Sequence, residues 1–374
     1  MSEQIPLCVP SVGAIEEAAV AAALRSGWVA PAGPQVDAFE AELSVLTSRT
    51  AVVAVSSGTA ALHLALLAAG VGVGDEVAVA TLTFAATANA VTYTGARPVF
   101  VDCDENGLMS PELLRLALSE RAAAGRPIRA VVPVDVYGRP AAYPEIKQAA
   151  ADFGAVVISD AAESLGGHLG NAPAGSFGEF AALSFNGNKI VTTSSGGAVL
   201  CPDEDSAARV RYLASQARQP VAHYEHTEIG YNYRLSNILA ALGSAQLSRL
   251  PKILEVKRSH HQTYRKMAFA LPGVSVLEPA DGNCWMSVLV LETERDATEL
   301  ASGLASAGIE TRPVFKPIHL QPAYAGSDPS YITGRAEDLY RRGIVLPSST
   351  DLSQSQLLRV VDAVTNCLGA RSRV

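Results

Sequence analysis

Between residues 50 and 159, short apolar runs rich in strand formers alternate with longer segments rich in Ala and Leu. The runs are residues 50–55 (TAVVAV), 76–80, 97–101, 129–134 and 155–159. Residues 59–69 (TAALHLALLAA), 111–124 and 143–153 lie between them and read as helices, with Ser110 a fitting N-cap before Pro111 at the first helical position. Near-continuous apolar strands separated by helices belong to a mostly parallel central sheet flanked by helices, an α/β fold. Such sheets bind ligands beyond the carboxyl ends of their strands, so chemistry is expected just after each run.

One stretch admits a different reading. Residues 51–74 carry no Lys, Arg, Asp or Glu, and they are long enough to cross a bilayer. Ser56, Ser57, Gly58 and Thr59 interrupt the stretch and Gly70, Gly72 and Gly74 close it, so it reads as a buried strand, a turn and a buried helix. No membrane partner is therefore expected. The net charge of −8, with no basic arm, argues against a nucleic-acid partner. Five scattered cysteines without a CxxC pair fit a reducing cytoplasm better than a disulfide framework or a metal site. No basic region followed by an apolar run opens the chain, which also fits a cytoplasmic protein. The 374 residues suffice for two domains. The pattern changes near residue 248, where a charge-bearing helical stretch runs to 269; residues 286–291, 297–307, 310–312 and 353–368 then read as short strands and helices. A large domain with an N-terminal arm is expected over residues 1–249 and a smaller α+β domain over 250–374.

Three places carry chemistry. At Val55-Ser56-Ser57-Gly58-Thr59 a strand ends and a helix begins; free N–H groups there and the Thr59 hydroxyl suit a phosphate, although a cap and a tight bend need the same residues. Asp160 terminates the run at 155–159, where a carboxylate is costly unless it caps a helix or meets a cation such as a protonated ring nitrogen. Lys189 stands among small polar residues in Ser184-Phe185-Asn186-Gly187-Asn188-Lys189. It is either an exposed loop charge or, in a desolvated pocket, an amine able to form a Schiff base, with Ser184 as another phosphate donor.

A phosphate cradle, a strand-end Asp and then a Lys follow the order of pyridoxal phosphate enzymes of the aspartate-aminotransferase-like fold type I. The segments SSGTAALHLALLAAGVGVGDEV, TFAATANAVTYTGARPVFVD, ISDAAESLGG, GSFGEFAALSFNGNKIVTTSSGGAVL and GYNYRLSNILAALGSAQL resemble the DegT-type family of sugar-nucleotide aminotransferases. The resemblance runs from GWVAPAGPQVDAFE to TRPVFKPIHLQPAY and is weakest over residues 271–310. It implies that Lys189 carries the cofactor and shuttles the proton, and that Asp160 holds the pyridine nitrogen protonated. Glu163, where the family often has Gln, would lie near the phenolic oxygen and Phe84 would stack on the ring. Gly58, Thr59 and Ser184 would bind the phosphate, and Asn232 would reach the phosphate of a neighbouring subunit, which implies a homodimer with shared active sites.

Residues 216–226 (QARQPVAHYEH), SFNGNK and DAAES are similar to the branch that aminates UDP-4-keto-6-deoxy-N-acetylglucosamine, with L-glutamate as the donor. By that similarity Arg218, His223, Trp285, Arg312 and His319 are candidate substrate contacts. Exposed loops for Arg218 and His223, and a core position for Trp285, are the plainer readings. Amination at C3, or at C4 of a dTDP- or GDP-linked sugar, is the nearest alternative. A relative that removes a hydroxyl would carry His at position 189, so the lysine argues for transamination. The glycines of Gly70-Val71-Gly72-Val73-Gly74 follow a helix and lead into a strand, the reverse of a nicotinamide-binding loop. A non-catalytic regulator on this fold would be expected to lack the lysine.

Overall fold

The computed structural model describes residues 4–278, 281–326 and 329–369. The apolar runs form β1 (Ala51–Val55), β2 (Glu76–Ala80), β3 (Arg97–Val101), β4 (Ile128–Val132) and β5 (Val156–Asp160). A small hairpin of β6 (His168–Leu169) and β7 (Ala172–Pro173) precedes β8 (Phe180–Ser184) and β9 (Gly197–Cys201). The C-terminal part adds β10 (Ser275–Val276), β11 (Ser287–Val290), β12 (Arg312–Pro313), β13 (Ser330–Tyr331) and β14 (Gly343–Leu346). Among the described residues, eight strands make one sheet in the order β1-β9-β8-β5-β4-β2-β3-β13, and β10-β11-β14-β12 make a second. The large sheet is parallel except at β9, which pairs antiparallel with β1 and β8.

The helices are α1 (Ala14–Ser26), α2 (Pro34–Thr47), α3 (Gly58–Ala68), α4 (Ala85–Tyr93), α5 (Pro111–Ala123) and α6 (Tyr143–Asp152). After them come α7 (Glu204–Ala214), α8 (Asn237–Phe269), α9 (Glu294–Ser306), α10 (Arg335–Arg342) and α11 (Gln354–Gly369). The Ser110 hydroxyl accepts a hydrogen bond from the Leu113 N–H at 3.3 Å and so caps α5. Successive residues of β1 serve opposite layers. Val52 and Ala54 join one apolar core, and Ala51, Val53 and Val55 the other. The charge-free stretch is thus β1 and α3 buried within one protein, and among the described residues no helix is long and apolar enough to cross a membrane. A third apolar cluster joins Tyr264 of α8 to Leu289, Leu300 and Val360 and to Ile5 of the N-terminal arm.

Two features differ from the sequence reading. β9 returns antiparallel because a single loop turns β8 back on itself, and that loop carries Lys189. Helix α8 begins at Asn237 instead of near 248, with the Ser236 hydroxyl accepting from the Leu239 N–H and Pro251 inside the helix. The onset of charge at 248 marked where α8 becomes more polar, not where it starts. Its first turns are apolar because they pack on α1 and α2, and residue 250 lies within the continuous helix.

The C-terminal part is fastened to the large sheet at Asp102, just beyond β3. Its fully buried carboxylate accepts from the Thr333 N–H and hydroxyl at 2.8 and 2.9 Å, from the N–H groups of Gly334, Arg335 and Ala336, and from Cys103. Burial raises the pKa of this group, but the N–H donors outweigh that and hold it below the ordinary value. An anion at the start of α10 also meets the positive end of that helix. Asp102→Ala is expected to cost about 3–5 kcal/mol, read as a lower urea midpoint, because it strands several buried donors. Since the folded pKa is depressed, the stabilisation is present above the unfolded value and is lost as pH falls through the folded one.

Candidate active site

A cavity of about 570 Å³ opens at the carboxyl ends of β1, β5 and β8, where a parallel sheet presents its ligands. On one side β1 gives way to α3. The Ser57 hydroxyl accepts from the Ala60 N–H at 3.0 Å and caps the helix. The first turn of any helix presents N–H groups without intrahelical acceptors and a positive dipole end, which suits an anion. Gly58 brings this turn close to the end of β8: a Cβ there would lie 2.7 Å from Ser184 Cβ, so any side chain would displace Ser184.

Asp160 enters from the end of β5 and is only 5% exposed. Its Oδ2 accepts from the Thr87 hydroxyl at 2.7 Å and its Oδ1 from the Ala162 N–H at 3.2 Å. Burial pushes its pKa up to about 6, against the opposing pull of Thr87 and Ala162. A carboxylate held this way gains most from a cationic partner in the cavity. Behind it, the Asp135 N–H donates to the Asp160 carbonyl at 3.0 Å. The Asp135 carboxylate accepts from the Tyr143 hydroxyl (2.7 Å), the Ser164 hydroxyl (2.6 Å) and the Ala141 N–H (3.0 Å). Burial raises its pKa to about 7.

Lys189 projects from the β8–β9 loop, and its side chain is 12% exposed. Its Nζ donates to Glu163 Oε1 at 3.0 Å and lies 4.1 Å from the centre of the Trp285 ring. The other Glu163 oxygen accepts from the Tyr137 N–H at 2.7 Å. The lysine therefore compensates the buried Glu163 carboxylate. Trp285 is buried, and its indole N–H donates to the Asn188 carbonyl at 2.8 Å, tying it to the residue before Lys189.

Gly58, Thr59, Phe84, Asp160, Glu163 and Ser184 line this one cavity, as do Lys189, Trp285 and Arg312. Phe84 is 61% exposed, its ring centre 6.1 Å from that of Phe315. Arg312 Nη2 pairs with Glu310 Oε1 at 2.6 Å. His319 is not among the lining residues; its Nδ1 lies 2.6 Å from the Thr81 hydroxyl and its Nε2 3.3 Å from Glu337. Asn232 and Arg218 line a separate, open cavity of about 700 Å³, with the Arg218 guanidinium 4.5 Å from the centre of the Tyr224 ring. The His223 side chain is 71% exposed and lies 3.4 Å from the Glu225 carboxylate.

Sequence reasoning missed Thr87, Asp135 and Tyr137. Tyr137 follows the carboxyl end of β4, the kind of place where ligands were expected, but nothing in its local pattern sets it apart. Thr87 lies one helical turn beyond Phe84, and only the fold brings it to Asp160.

The cavity gathers the groups that pyridoxal phosphate requires: an anion cradle kept open by Gly58, a buried carboxylate and an amine. Comparisons with known proteins agree. Residues 10–365 match the DegT/DnrJ/EryC1/StrS aminotransferase family. The "Putative pyridoxal phosphate-dependent aminotransferase EpsN" of Bacillus subtilis (strain 168) is 42% identical, over 97% of this chain and 96% of its own length. GDP-perosamine synthase of Escherichia coli O157:H7 is 36% identical, over 96% of this chain and 97% of its own. The solved structure of the "Putative sugar aminotransferase Spr1654 from Streptococcus pneumoniae, PLP-form" superposes with a TM-score of 0.91 at 26% identity, covering 98% of this chain and 99% of the other. The chain belongs to the DegT/DnrJ/EryC1/StrS aminotransferase family and is a pyridoxal phosphate-dependent aminotransferase of fold type I.

Proposed function

We propose that the enzyme transfers an amino group from L-glutamate to C4 of a UDP-linked 4-keto-6-deoxy-N-acetylhexosamine. The observation that carries aminotransfer is the placement of Lys189 and buried Asp160 on one cavity beside an open helix N-terminus. The choice of sugar rests on the similarity of residues 216–226, SFNGNK and DAAES to the branch that aminates this substrate. GDP-perosamine synthase of E. coli, at 36% identity over nearly the whole chain, favours a second reading, a GDP-linked keto sugar.

In this reading Lys189 would hold the cofactor covalently, Asp160 would face its ring nitrogen, and Phe84 would cover the ring. Gly58, Thr59 and Ser184 would hold its phosphate, and Glu163 would lie near its phenolic oxygen. Bound pyridoxal phosphate supplies an electron sink for the charge left when a proton leaves the carbon bearing the amine. The protein's own groups do the rest. Asp160 is ionised above about pH 6 and so can face a positive ring nitrogen at neutral pH. The Lys189 amine takes the proton from the substrate carbon and returns it. Between those events Glu163 Oε1 and the Trp285 face hold the free ammonium in place. Trp285 and Arg312, which line the cavity, would lie on the substrate side, whereas His319 stands behind it on Thr81 and Glu337.

Asn232 and Arg218 lie outside the Lys189 cavity of their own chain, which supports a homodimer in which one subunit completes the other's site. Five free cysteines support a cytoplasmic setting. The test is a panel of UDP-, GDP- and dTDP-linked 4-keto and 3-keto sugars with L-glutamate, read by product mass and NMR. A C4-aminated UDP sugar is expected as the best product. Preferential C3 amination, or better turnover of a GDP sugar, would replace the reading.

A further inference from the structure

The geometry points to Tyr137 as a positioning residue that ties the Glu163–Lys189 pair to the substrate-side loop at residues 312–316. The inference rests on the reading that this loop, through Arg312, meets the nucleotide sugar.

Tyr137 is the one residue of its turn whose conformation needs explaining. It takes φ 56° and ψ 27°, a left-handed conformation that non-glycine residues rarely adopt, and it is only 3% exposed. Such a conformation persists when surrounding contacts over-determine it, and these outliers concentrate at functional sites. Here the contacts run in two directions. Toward the catalytic side, the Tyr137 N–H donates to Glu163 Oε2 at 2.7 Å, and Glu163 Oε1 accepts from Lys189. Toward the substrate side, the Tyr137 hydroxyl accepts from the Phe315 N–H at 2.9 Å.

The ring is fixed as firmly as the backbone. It stacks on Phe315 with centres 5.0 Å apart and planes 16° apart, and faces Trp285 at 6.4 Å and 20°. Gly138, which follows, packs so closely on Asn283 that a Cβ would fall 1.9 Å from Asn283 Oδ1. Asn283 in turn donates to the Glu163 carbonyl at 2.8 Å and accepts from the Trp285 N–H at 2.8 Å. The turn therefore cannot shift without moving Glu163 and Trp285, which both touch the Lys189 amine. Phe315 and Arg312 both line the cavity, and the Tyr137 hydroxyl is the polar link from this turn to their main chain. A phenylalanine would fill the same core space. The hydroxyl is what a purely space-filling role does not need.

Tyr137→Phe removes that acceptor and keeps the ring, the core volume and the N–H to Glu163. The variant is expected to raise KM for the accepted keto sugar about 5- to 20-fold, because a loop no longer held in the free enzyme must be ordered when the sugar binds. It should change kcat and the glutamate half-reaction less than about twofold. Hydrogen exchange of the Phe315 amide in the holoenzyme should quicken at least about tenfold, a readout independent of turnover. An unshifted KM, unchanged Phe315 exchange or a parallel slowing of the glutamate half-reaction would overturn the inference. If the wild type turned over no keto sugar, the functional reading would fail and take the inference with it. Turnover by the wild type with an unshifted KM in the variant overturns the inference alone.

Discussion

Alanine at Lys189 is expected to abolish the covalent cofactor absorbance and lower turnover on the order of 10⁴-fold or more. The size follows from two losses in one side chain: the amine that anchors the cofactor and the base that moves the proton. Among the described residues no other lysine lines the cavity, so no nearby amine can substitute. The substitution also removes the ammonium 3.0 Å from buried Glu163, so the apoprotein should melt at a lower temperature. Absorbance after dialysis against pyridoxal phosphate, beside steady-state rates, separates the effects. Retained covalent absorbance would show that Lys189 is not the attachment point.

Asparagine at Asp160 should leave the cofactor able to bind but lower kcat by about 10²- to 10³-fold, because charge developing in the ring then loses its preorganised counter-charge. The pH dependence gives a sharper test. Burial raises the Asp160 pKa from 3.8 to about 6, so the folded apoprotein keeps the carboxyl neutral to a higher pH than the unfolded chain does. The stability that this group contributes is fully present below its unfolded pKa and is lost as pH rises through about 6. That loss amounts to about 3 kcal/mol. Cofactor affinity should move the opposite way, rising with pH over the same window as the carboxylate forms. The Asn variant should lose the slope in cofactor affinity and the Asp160 share of the stability slope, keeping the share that buried Asp135 adds. A wild type whose cofactor affinity is flat from pH 5 to 7 would remove Asp160 from contact with the ring nitrogen.

The fold was legible where burial is two-sided. Residues 76–80 and 97–101 were read at the bounds the structure shows, because a strand covered on both faces has little room for polar residues. The start of α8 was not legible, because its first turns are apolar for the same reason the strands are, and composition alone does not separate the two. The reversal at β9 was equally hidden, since direction is set by a loop and not by the strand's own residues. At the site, Asp160 stood out as a charged residue ending an apolar strand, and Lys189 as one among small polar neighbours in a loop. Thr87, Asp135 and Tyr137 did not, because their importance comes from partners that the fold supplies. His319, a candidate only by similarity, bonds Thr81 and Glu337, partners that no local pattern in the sequence announces.

The grip of Asp102 on residues 333–336 bears on how the molecule can breathe. To swing the C-terminal half away from the sheet like a clamshell, the protein would have to bare a buried anion and undo five bonds from those residues at once. Any opening hinged elsewhere has to leave that knot intact, so residues 333–336 travel with the sheet.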